Sequence, residues 1–320
     1  RSTLFPYTML FRSPPWQDGQ HREIPNFAED IAKKTSAYKY LEKKYDGNED
    51  SINYYLNLPH PVVVFTYDGE ETRELSTLDS IRYMLRFMHC GLVAIEPDTR
   101  HVKAWVGDVD YNSWEYDKIT AMRQPGSTFK LFVYTEAMNQ GMKPCDTRVD
   151  EWKAYPDTVY GKPKQWMPHN ANGYFSNASQ PLKGAFAQSI NSIAVKLGYE
   201  CGISNVARTA HAMGIESPLK EKPSLSLGSS DVTLLELTNA YCTPVADGIA
   251  NMPILVTRIE DRNGKVIYEP VLSTEQAIPY RSAYLMQQML RATMTEPGGT
   301  SGRLWTFVAS LTGKGDFGGK

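Results

Sequence analysis

A break followed by an apolar helix is the feature that most constrains the fold of this chain. Pro125 and Gly126 interrupt the preceding segment, and the run from Ser127 to Met138 has apolar residues at helical spacing. The pattern predicts a helix that begins at Ser127 and ends near Gly141, a residue suited to a helix C-terminus. A serine in the first turn lies near backbone N–H groups that have no partner within the helix.

The start of this predicted helix also carries a candidate nucleophile. Lys130 follows Ser127 by three residues, which places both side chains on one helix face. Such a lysine can accept the serine proton if its amine is neutral, and this requires burial or a cationic neighbour to lower its pKa. The same Ser-x-x-Lys spelling occurs at 36–39 and 217–220, so the spelling alone does not identify a site.

The composition is that of a globular protein without a nucleic-acid-binding charge pattern. The chain has 320 residues, 41% of them hydrophobic, and a formal net charge of −2 from 34 basic and 36 acidic residues. The sequence contains no run of 18 or more apolar residues, so no membrane-spanning segment is predicted. These properties indicate one large domain or two modest ones, and no nucleic-acid partner.

The four cysteines do not suggest a metal site. Cys90, Cys145, Cys201 and Cys242 are widely spaced, with no Cys-x-x-Cys pair and no histidine at ligand spacing. We expect buried free thiols, and the alternative is one or two disulfides. Neither a metal nor a cofactor is implied.

Two predicted β-hairpins lie on either side of a helical region. The first spans 91–107, and the second spans 254–268 around the strong turn signal Asn263-Gly264. Between them, residues 145–177 form a long loop-rich stretch, of a length that is often functional. Further helical spacing is found at 182–198, 204–214, 231–246 and, after the second hairpin, 280–294. The pattern predicts an α+β fold in which the two hairpins pair in one sheet across a helical insertion.

Two further motifs follow the first in a meaningful order. Ser189-Ile190-Asn191 lies within the helical spacing at 182–198, and Lys320 follows two glycines at the end of the sequence. The order of these motifs resembles that of penicillin-binding proteins and β-lactamases, which have Ser-x-x-Lys, a Ser-x-Asn type motif and Lys-Thr-Gly.

Longer strings extend this likeness. The sequence from about Leu56 to Lys320 resembles the transpeptidase domain of a class A, bifunctional penicillin-binding protein. The resemblance implies the β-lactamase and DD-transpeptidase fold, an antiparallel sheet flanked by helices, with the active site between the sheet edge and the helical region. The strings that carry it are DSIRYML, GLVAIEPDTRHVKAWVGDVDY, RQPGSTFKLFVYTEAM, QWMPHNANGYF, LKGAFAQSINSIAVKL, SLSLGSSDVTLLELTNAYC and EPGGTSG.

The family supplies a role for each motif residue. Ser127 is implied as the nucleophile that attacks the penultimate D-Ala carbonyl of a peptidoglycan stem, and neutral Lys130 as its base. Ser189 is implied to pass a proton to the leaving D-Ala nitrogen, and Asn191 to hold the acyl chain's amide. Lys320 is implied to pair with the substrate carboxylate. Asn170, after the Trp-Met-Pro string, is a candidate border of the site or a loop-tying amide.

The chain departs from the family at three places. Arg100 stands where a turn glycine is usual, and Asp108 where a second glycine is common. The third motif stops at Lys320, and a competing interpretation takes Gly313-Lys314-Gly315 as a degraded motif. The family's second oxyanion donor follows the third motif. Because losing such a donor costs roughly 3 kcal/mol, we expect the 320 residues alone to be inactive.

Three segments are predicted along the chain. Residues 1–13 are expected to be non-native, adapter-like sequence, 14–55 a linker region, and 56–320 the penicillin-binding transpeptidase domain, incomplete at its C-terminus. By resemblance, a membrane anchor and a glycosyltransferase domain are expected upstream. The enzyme is then expected outside the cytoplasm, on the outer face of the bacterial cytoplasmic membrane.

The expected function is that of a serine D-Ala-D-Ala transpeptidase that cross-links peptidoglycan and is acylated by β-lactams. Its expected partners are pentapeptide stems, β-lactams and cell-wall synthesis proteins. One alternative is a DD-carboxypeptidase or β-lactamase, in which water replaces the amine acceptor. The other is a non-catalytic β-lactam-binding sensor that acylates without turnover.

Overall fold

The computed structural model describes residues 16–17, 22–159 and 162–304. Among them, the residues up to Cys90, together with Asp108–Tyr116, form one compact unit, and Gly91–Gly107 with the residues from Asp117 onward form a second. The adapter-like segment 1–13, Lys320 and the competing Gly313-Lys314-Gly315 lie outside the described residues. The predicted domain boundaries stay a prediction.

The first unit is built from short helices and one hairpin. Thr35, Asn48 and Ser76 each accept a backbone N–H at a helix start, which explains where the second, third and fourth helices begin. A small core holds the unit together through Ala28, Ala32, Ile52, Leu56 and Leu78. Its elements are α1 (Phe27–Ala32), α2 (Ser36–Lys44), α3 (Glu49–Asn57), β1 (His60–Thr66), antiparallel β2 (Gly69–Leu75) and α4 (Thr77–Met84).

The second unit alternates short strands with helices. Before the long loop come β3 (Leu92–Ile95), β4 (Val102–Val106), β5 (Met122–Arg123), a 3₁₀ turn (Gly126–Phe129) and α5 (Lys130–Asn139). Next come β6 (Thr147–Val149), β7 (Tyr155–Val159), β8 (Lys162–Trp166), β9 (Ser179–Pro181), α6 (Leu182–Ala187), α7 (Asn191–Cys201) and α8 (Ile203–Ala212). The rest are a second 3₁₀ turn (Pro223–Leu227), β10 (Val232–Thr233), α9 (Leu234–Val245), β11 (Ile259–Glu260), β12 (Val266–Tyr268) and α10 (Tyr280–Thr295).

Helix α5 lies at the centre of the second unit. Every residue from Lys130 to Met138 is buried, and the helix is in contact with α7, α8 and α10. A helix that is apolar on all sides is expected in an interior. The predicted helix is therefore confirmed, except that its first turn, Gly126–Phe129, is 3₁₀. Gly141 follows its end with a φ of 93°, as expected of a glycine at that position.

The prediction that the two hairpins pair in one sheet is wrong for the described residues. β3 pairs with β4, and β11 pairs with β12, each as a separate two-stranded antiparallel sheet. The only bridge between these segments in the described part of the chain is the isolated parallel bridge from His101 to Ile254. Local turn signals determined each hairpin correctly, but they carry no information on which strands meet across the fold.

Two other expectations need correction. The stretch 145–177 is not a single loop, because β6 and the β7–β8 hairpin lie within it. The helical spacing at 182–198 is not one helix either. α6 ends at Ala187 and α7 begins at Asn191, and Ser189 between them has a left-handed φ of 57°.

Arg100, where the family usually has glycine, has the left-handed φ of 59° that a glycine would adopt easily. Its side chain is completely buried, and its guanidinium donates to the backbone oxygens of Asn239, at 2.9 Å, and Ile249. The substitution therefore ties the turn after β3 to the segment around α9.

The thiol prediction is only half right. All four cysteines are free, but Cys90 and Cys145 are exposed, whereas Cys201 and Cys242 are buried. Within the described residues, no helix combines the length and the apolar character needed to cross a membrane.

Candidate active site

Ser127 lies in the 3₁₀ turn that precedes α5, and its side chain is exposed. Its hydroxyl makes no hydrogen bond to any other described residue. Tyr241 supports the turn, because its hydroxyl donates a hydrogen bond to the Thr128 carbonyl at 2.8 Å. The turn is thus held through its backbone, and the Ser127 oxygen is left available.

Lys130 is the first residue of α5, and only 2% of it is exposed. Its Nζ lies 2.7 Å from the Ser189 carbonyl oxygen, 2.9 Å from Ser189 Oγ and 2.6 Å from Asn191 Oδ1. Burial lowers the pKa of Lys130 to about 7. A neutral amine can donate only two hydrogens, which the carbonyl and amide oxygens accept, so its lone pair is free to receive a hydroxyl proton.

Ser189 occupies the corner between α6 and α7. Its φ of 57° is rare for a residue with a Cβ, and such strained conformations persist only where the surroundings fix them. Lys130 fixes this one by bonding both the backbone and the hydroxyl of Ser189. The corner turns the Ser189 hydroxyl towards the lysine amine.

A partly buried hydrogen-bond network holds Asn191 beside the same amine. Asn170 Oδ1 accepts the backbone N–H groups of Asn191 and Ser192 at 3.0 and 3.1 Å, at the start of α7. Asn170 Nδ2 in turn donates to Asp150 Oδ1 at 2.8 Å, and the same oxygen accepts the Ser192 hydroxyl at 2.5 Å. Asn191 Nδ2 donates to the His169 carbonyl at 2.7 Å.

Asp150 stays ionised in this network. Burial opposes its negative charge, but hydrogen bonds from Ser192, Ser176 and Asn170 outweigh burial and lower the pKa of Asp150. Asn170 therefore holds the loop through Asp150 and also holds the start of α7, next to the site. His169 contributes its backbone carbonyl.

A cavity of about 360 Å³ opens over these groups. We call it the nucleophile cavity. The Gly298-Gly299-Thr300 element is anchored next to it, because Thr300 N donates to the Ala187 carbonyl at 2.9 Å. The residues that line the cavity are Ser127, Thr128, Lys130, Phe186, Ser189, Tyr241, Leu290, Thr293, Thr300 and Ser301.

The structure brings together four of the five predicted site residues. Lys130, Ser189 and Asn191 are in direct contact, and Ser127 lines the same cavity. Lys320 is outside the described residues, so its place in the site stays a prediction.

Sequence reasoning missed two supports of the Ser127 turn. Gly228 has a φ of 72°, and a Cβ there would lie 2.3 Å from the Gly126 carbonyl oxygen. Only glycine therefore allows the second 3₁₀ turn to approach this closely. Tyr241 is the other missed support, and only its tertiary contact reveals it.

Comparison with known families agrees with this arrangement. The family model described as penicillin binding protein transpeptidase domain matches residues 90–314, well over half of the chain. The model described as penicillin-binding protein middle domain matches residues 12–88.

Individual relatives and solved structures give the same result. Penicillin-binding protein 1A of Aquifex aeolicus is 34% identical over 231 residues, which are 71% of this chain and 31% of the relative. The crystal structure of penicillin-binding protein 1A from Haemophilus influenzae is 21% identical, with a TM-score of 0.60 over 76% of this chain and 40% of that one. The penicillin G acyl-enzyme complex of penicillin-binding protein A from M. tuberculosis is 21% identical, with a TM-score of 0.52 over 63% and 57% of the two chains.

These likenesses confirm the expected fold class, a mixed helix and strand fold of the β-lactamase and transpeptidase type. The chain spans about a third of the length of the relatives it matches. The resemblance to the transpeptidase domain of class A penicillin-binding proteins is likewise confirmed. On the family-model match, the chain belongs to the penicillin-binding protein transpeptidase family, a family of acyltransferases.

Proposed function

We propose that this protein is a serine D-Ala-D-Ala transpeptidase that cross-links peptidoglycan stems through a Ser127 acyl-enzyme and is acylated by β-lactams. The observation that carries the proposal is the buried Lys130 amine, with a pKa lowered to about 7, which contacts Ser189 and Asn191 in the cavity that Ser127 lines. The penicillin G complex of a structural relative supports the β-lactam part.

In the first step, Ser127 Oγ attacks the carbonyl carbon of the penultimate D-Ala. Its proton moves to the neutral Lys130 amine as the C–O bond forms. The exposed, unbonded Ser127 hydroxyl supports this role, because attack breaks no existing hydrogen bond. The N–H groups of the first turn of the Ser127 helix are suited to stabilise the oxygen on which negative charge develops.

In the second step, the bond to the terminal D-Ala nitrogen breaks, and that nitrogen takes a proton. Ser189 Oγ, 2.9 Å from Lys130 Nζ, is placed to deliver it from the lysine. D-Ala leaves as a neutral amine, and an ester remains on Ser127. An amine from a second stem then attacks the ester and regenerates Ser127.

The other two motif residues complete the proposal. Asn191 Nδ2 already donates to a carbonyl, that of His169, and we infer that the same amide holds the acyl chain of the substrate. Lys320 is proposed as the partner of the substrate carboxylate. The enzyme is proposed to act outside the cytoplasm, on the outer face of the cytoplasmic membrane, with cell-wall synthesis proteins as partners.

The lining of the nucleophile cavity gives no support to carboxylate-assisted hydrolysis. The described residues around it include hydroxyls, an amine and apolar groups but no carboxylate that could activate water. The alternative of a β-lactamase in which a carboxylate activates water is therefore poorly supported.

Labelled penicillin tests the proposal. In the protein as its gene encodes it, we expect stoichiometric label on the peptide that contains Ser127 and none in Ser127→Ala, with mass spectrometry to locate the adduct. A stem-peptide donor with an amine acceptor should then release D-Ala and form the cross-linked product. A carboxypeptidase would release D-Ala without cross-linking, and a sensor would do neither. Labelling of the 320 residues alone tests the expectation that they are inactive.

A further inference from the structure

A second cavity shares Ser189 with the nucleophile cavity. Its volume is about 320 Å³. We call it the loop cavity, because the segment 170–176 forms much of its wall. The residues that line it are Asp150, Asn170, Ala171, Asn172, Tyr174, Ser176, Gln180, Gln188, Ser189 and Ile190. Ser189 is the one residue that the described linings of the two cavities share.

The loop cavity offers no free charge from its described lining. Asp150 is the only carboxylate in this lining, and both of its oxygens already accept hydrogen bonds. Oδ1 accepts bonds from Asn170 and Ser192, and Oδ2 accepts two from Ser176. An anionic ligand group would therefore lose its hydration without gaining an opposite charge.

The cavity does offer neutral hydrogen-bonding groups. Within the described structure, the Gln180 amide and the Tyr174 hydroxyl have no partner. Gln188 uses its Nε2 to donate to the Pro297 carbonyl at 3.2 Å, which leaves Oε1 open. Amide and hydroxyl groups of this kind match the N–H and C=O groups of a peptide.

We propose that the loop cavity binds the acyl acceptor, a peptide amine whose neighbouring groups are neutral amides. The inference rests on the proposed transpeptidase function and adds the second substrate's site. The acyl chain on Ser127 is expected to occupy the nucleophile cavity. The attacking amine must therefore approach from outside that cavity, and it also needs a proton acceptor close to its nitrogen. Among the described residues, Ser189 lines both cavities and contacts the Lys130 amine, so it connects the loop cavity with that proton acceptor.

The acceptor nitrogen bonds to the ester carbonyl carbon on Ser127 and passes one proton through Ser189 Oγ to Lys130. The bond from that carbon to Ser127 Oγ then breaks, and the lysine returns a proton to the serine oxygen.

The test compares acyl transfer with acylation in the protein as its gene encodes it. Ala171→Trp fills the cavity, and Gln180→Ala removes an open amide. With a stem-type D-Ala-D-Ala peptide as donor and diglycinamide as acceptor, we expect Gln180→Ala to lower the ratio of transfer to hydrolysis by about fivefold, the effect of one lost hydrogen bond. Ala171→Trp should lower the ratio at least as much, because its ring occupies the space of the acceptor. Labelling by penicillin should change by less than about twofold, as for surface substitutions.

Two further variants sharpen the result. Gln165→Ala removes an exposed amide on β8 away from the cavity, and its transfer ratio should equal that of the parent. Gln180→Glu adds a charge at nearly constant shape. Because a carboxylate would repel an anionic acceptor, we expect it to reduce transfer to diglycine more than transfer to diglycinamide.

The outcomes separate the two proposals. If the parent protein takes no penicillin label, the proposed function fails. If the parent labels and transfers but Ala171→Trp and Gln180→Ala transfer equally well, the acceptor assignment is overturned. A parallel loss of labelling and transfer in both variants would place the donor in the loop cavity and overturn the assignment too.

Discussion

The two hydroxyls that meet in the nucleophile cavity are held very differently. Ser127 lies exposed in a short 3₁₀ turn, and no described group bonds its oxygen. Ser189 lies in a left-handed corner, and the Lys130 amine bonds both its hydroxyl and its carbonyl. The next helix turn is fixed by Asn170 and, behind it, by Asp150.

The difference fits the two proposed tasks. A nucleophile forms and breaks a covalent bond, and existing hydrogen bonds to its oxygen would have to be lost before attack. A proton relay works only at hydrogen-bond distance, so its position must be fixed in advance. Strain at Ser189 is the expected cost of that fixed position.

The largest expected effect on acylation comes from Lys130, the residue that connects the Ser127 side of the cavity with the Ser189 side. Lys130→Met removes the proposed base and leaves Ser189 Oγ and Asn191 Oδ1 without their shared partner. Acylation by labelled penicillin should fall by on the order of 10²–10⁴-fold. Lys220→Met is the matched comparison, because Ser217 to Lys220 repeats the Ser-x-x-Lys spelling away from the cavity. Equal losses in the two variants would contradict the assignment.

The acylation rate should also depend on pH through Lys130. Because the pKa of Lys130 is lowered to about 7, the neutral form predominates above that pH, and the rate should fall about tenfold per pH unit below it. The rate of labelling between pH 5 and 9 measures this. A rate that stays constant down to pH 5 would show that the serine proton goes elsewhere.

The same lysine predicts a pH dependence of stability. Its folded-state pKa of about 7 lies below the ordinary value of 10.5, so between these values the unfolded chain binds more protons. The free energy of unfolding should therefore rise with pH across that window. Urea unfolding at several pH values measures the slope, and Lys130→Met should reduce it.

A smaller effect is expected from the support of the Ser189 side. Asn170→Ala leaves the N–H groups of Asn191 and Ser192 unpaired and removes one donor from Asp150. The free energy of unfolding should fall by about 1–3 kcal/mol. Acylation should fall as well, because Asn191 is no longer positioned. Asn263→Ala, in the exposed turn between β11 and β12, should change neither.

The sequence allowed a good prediction of the Ser127 side and a poor one of the Ser189 side. α5 is a long apolar segment after a Pro-Gly break, and both signals are local. The corner at Ser189 was not predicted, because the apolar residues of α6 and α7 together keep the spacing of a single helix. A three-residue change of direction leaves almost no trace in a periodic pattern.

Long-range partners were beyond the sequence signals. Asp150 and Ser192 are 42 residues apart, and only the fold brings the carboxylate to the start of α7. In the same way, turn residues predicted each hairpin, but the pairing of strands from different hairpins depends on packing that no local pattern records.

The smallest effect isolates the strain at Ser189 itself. Ser189→Ala and Ser189→Gly both remove the relay hydroxyl, and both should slow acylation. Only glycine adopts the φ of 57° without a steric cost, so the glycine variant should be more stable than the alanine variant by about 1 kcal/mol. Urea unfolding measures the difference, provided that the dependence of the free energy of unfolding on urea concentration is the same in both variants. At Ser80, in the interior of α4, the order should reverse, because glycine is the poorer residue in a helix interior by about 1 kcal/mol. If alanine were the more stable variant at both positions, the corner would cost the fold nothing, and the two sides of the cavity would differ in hydrogen bonding alone.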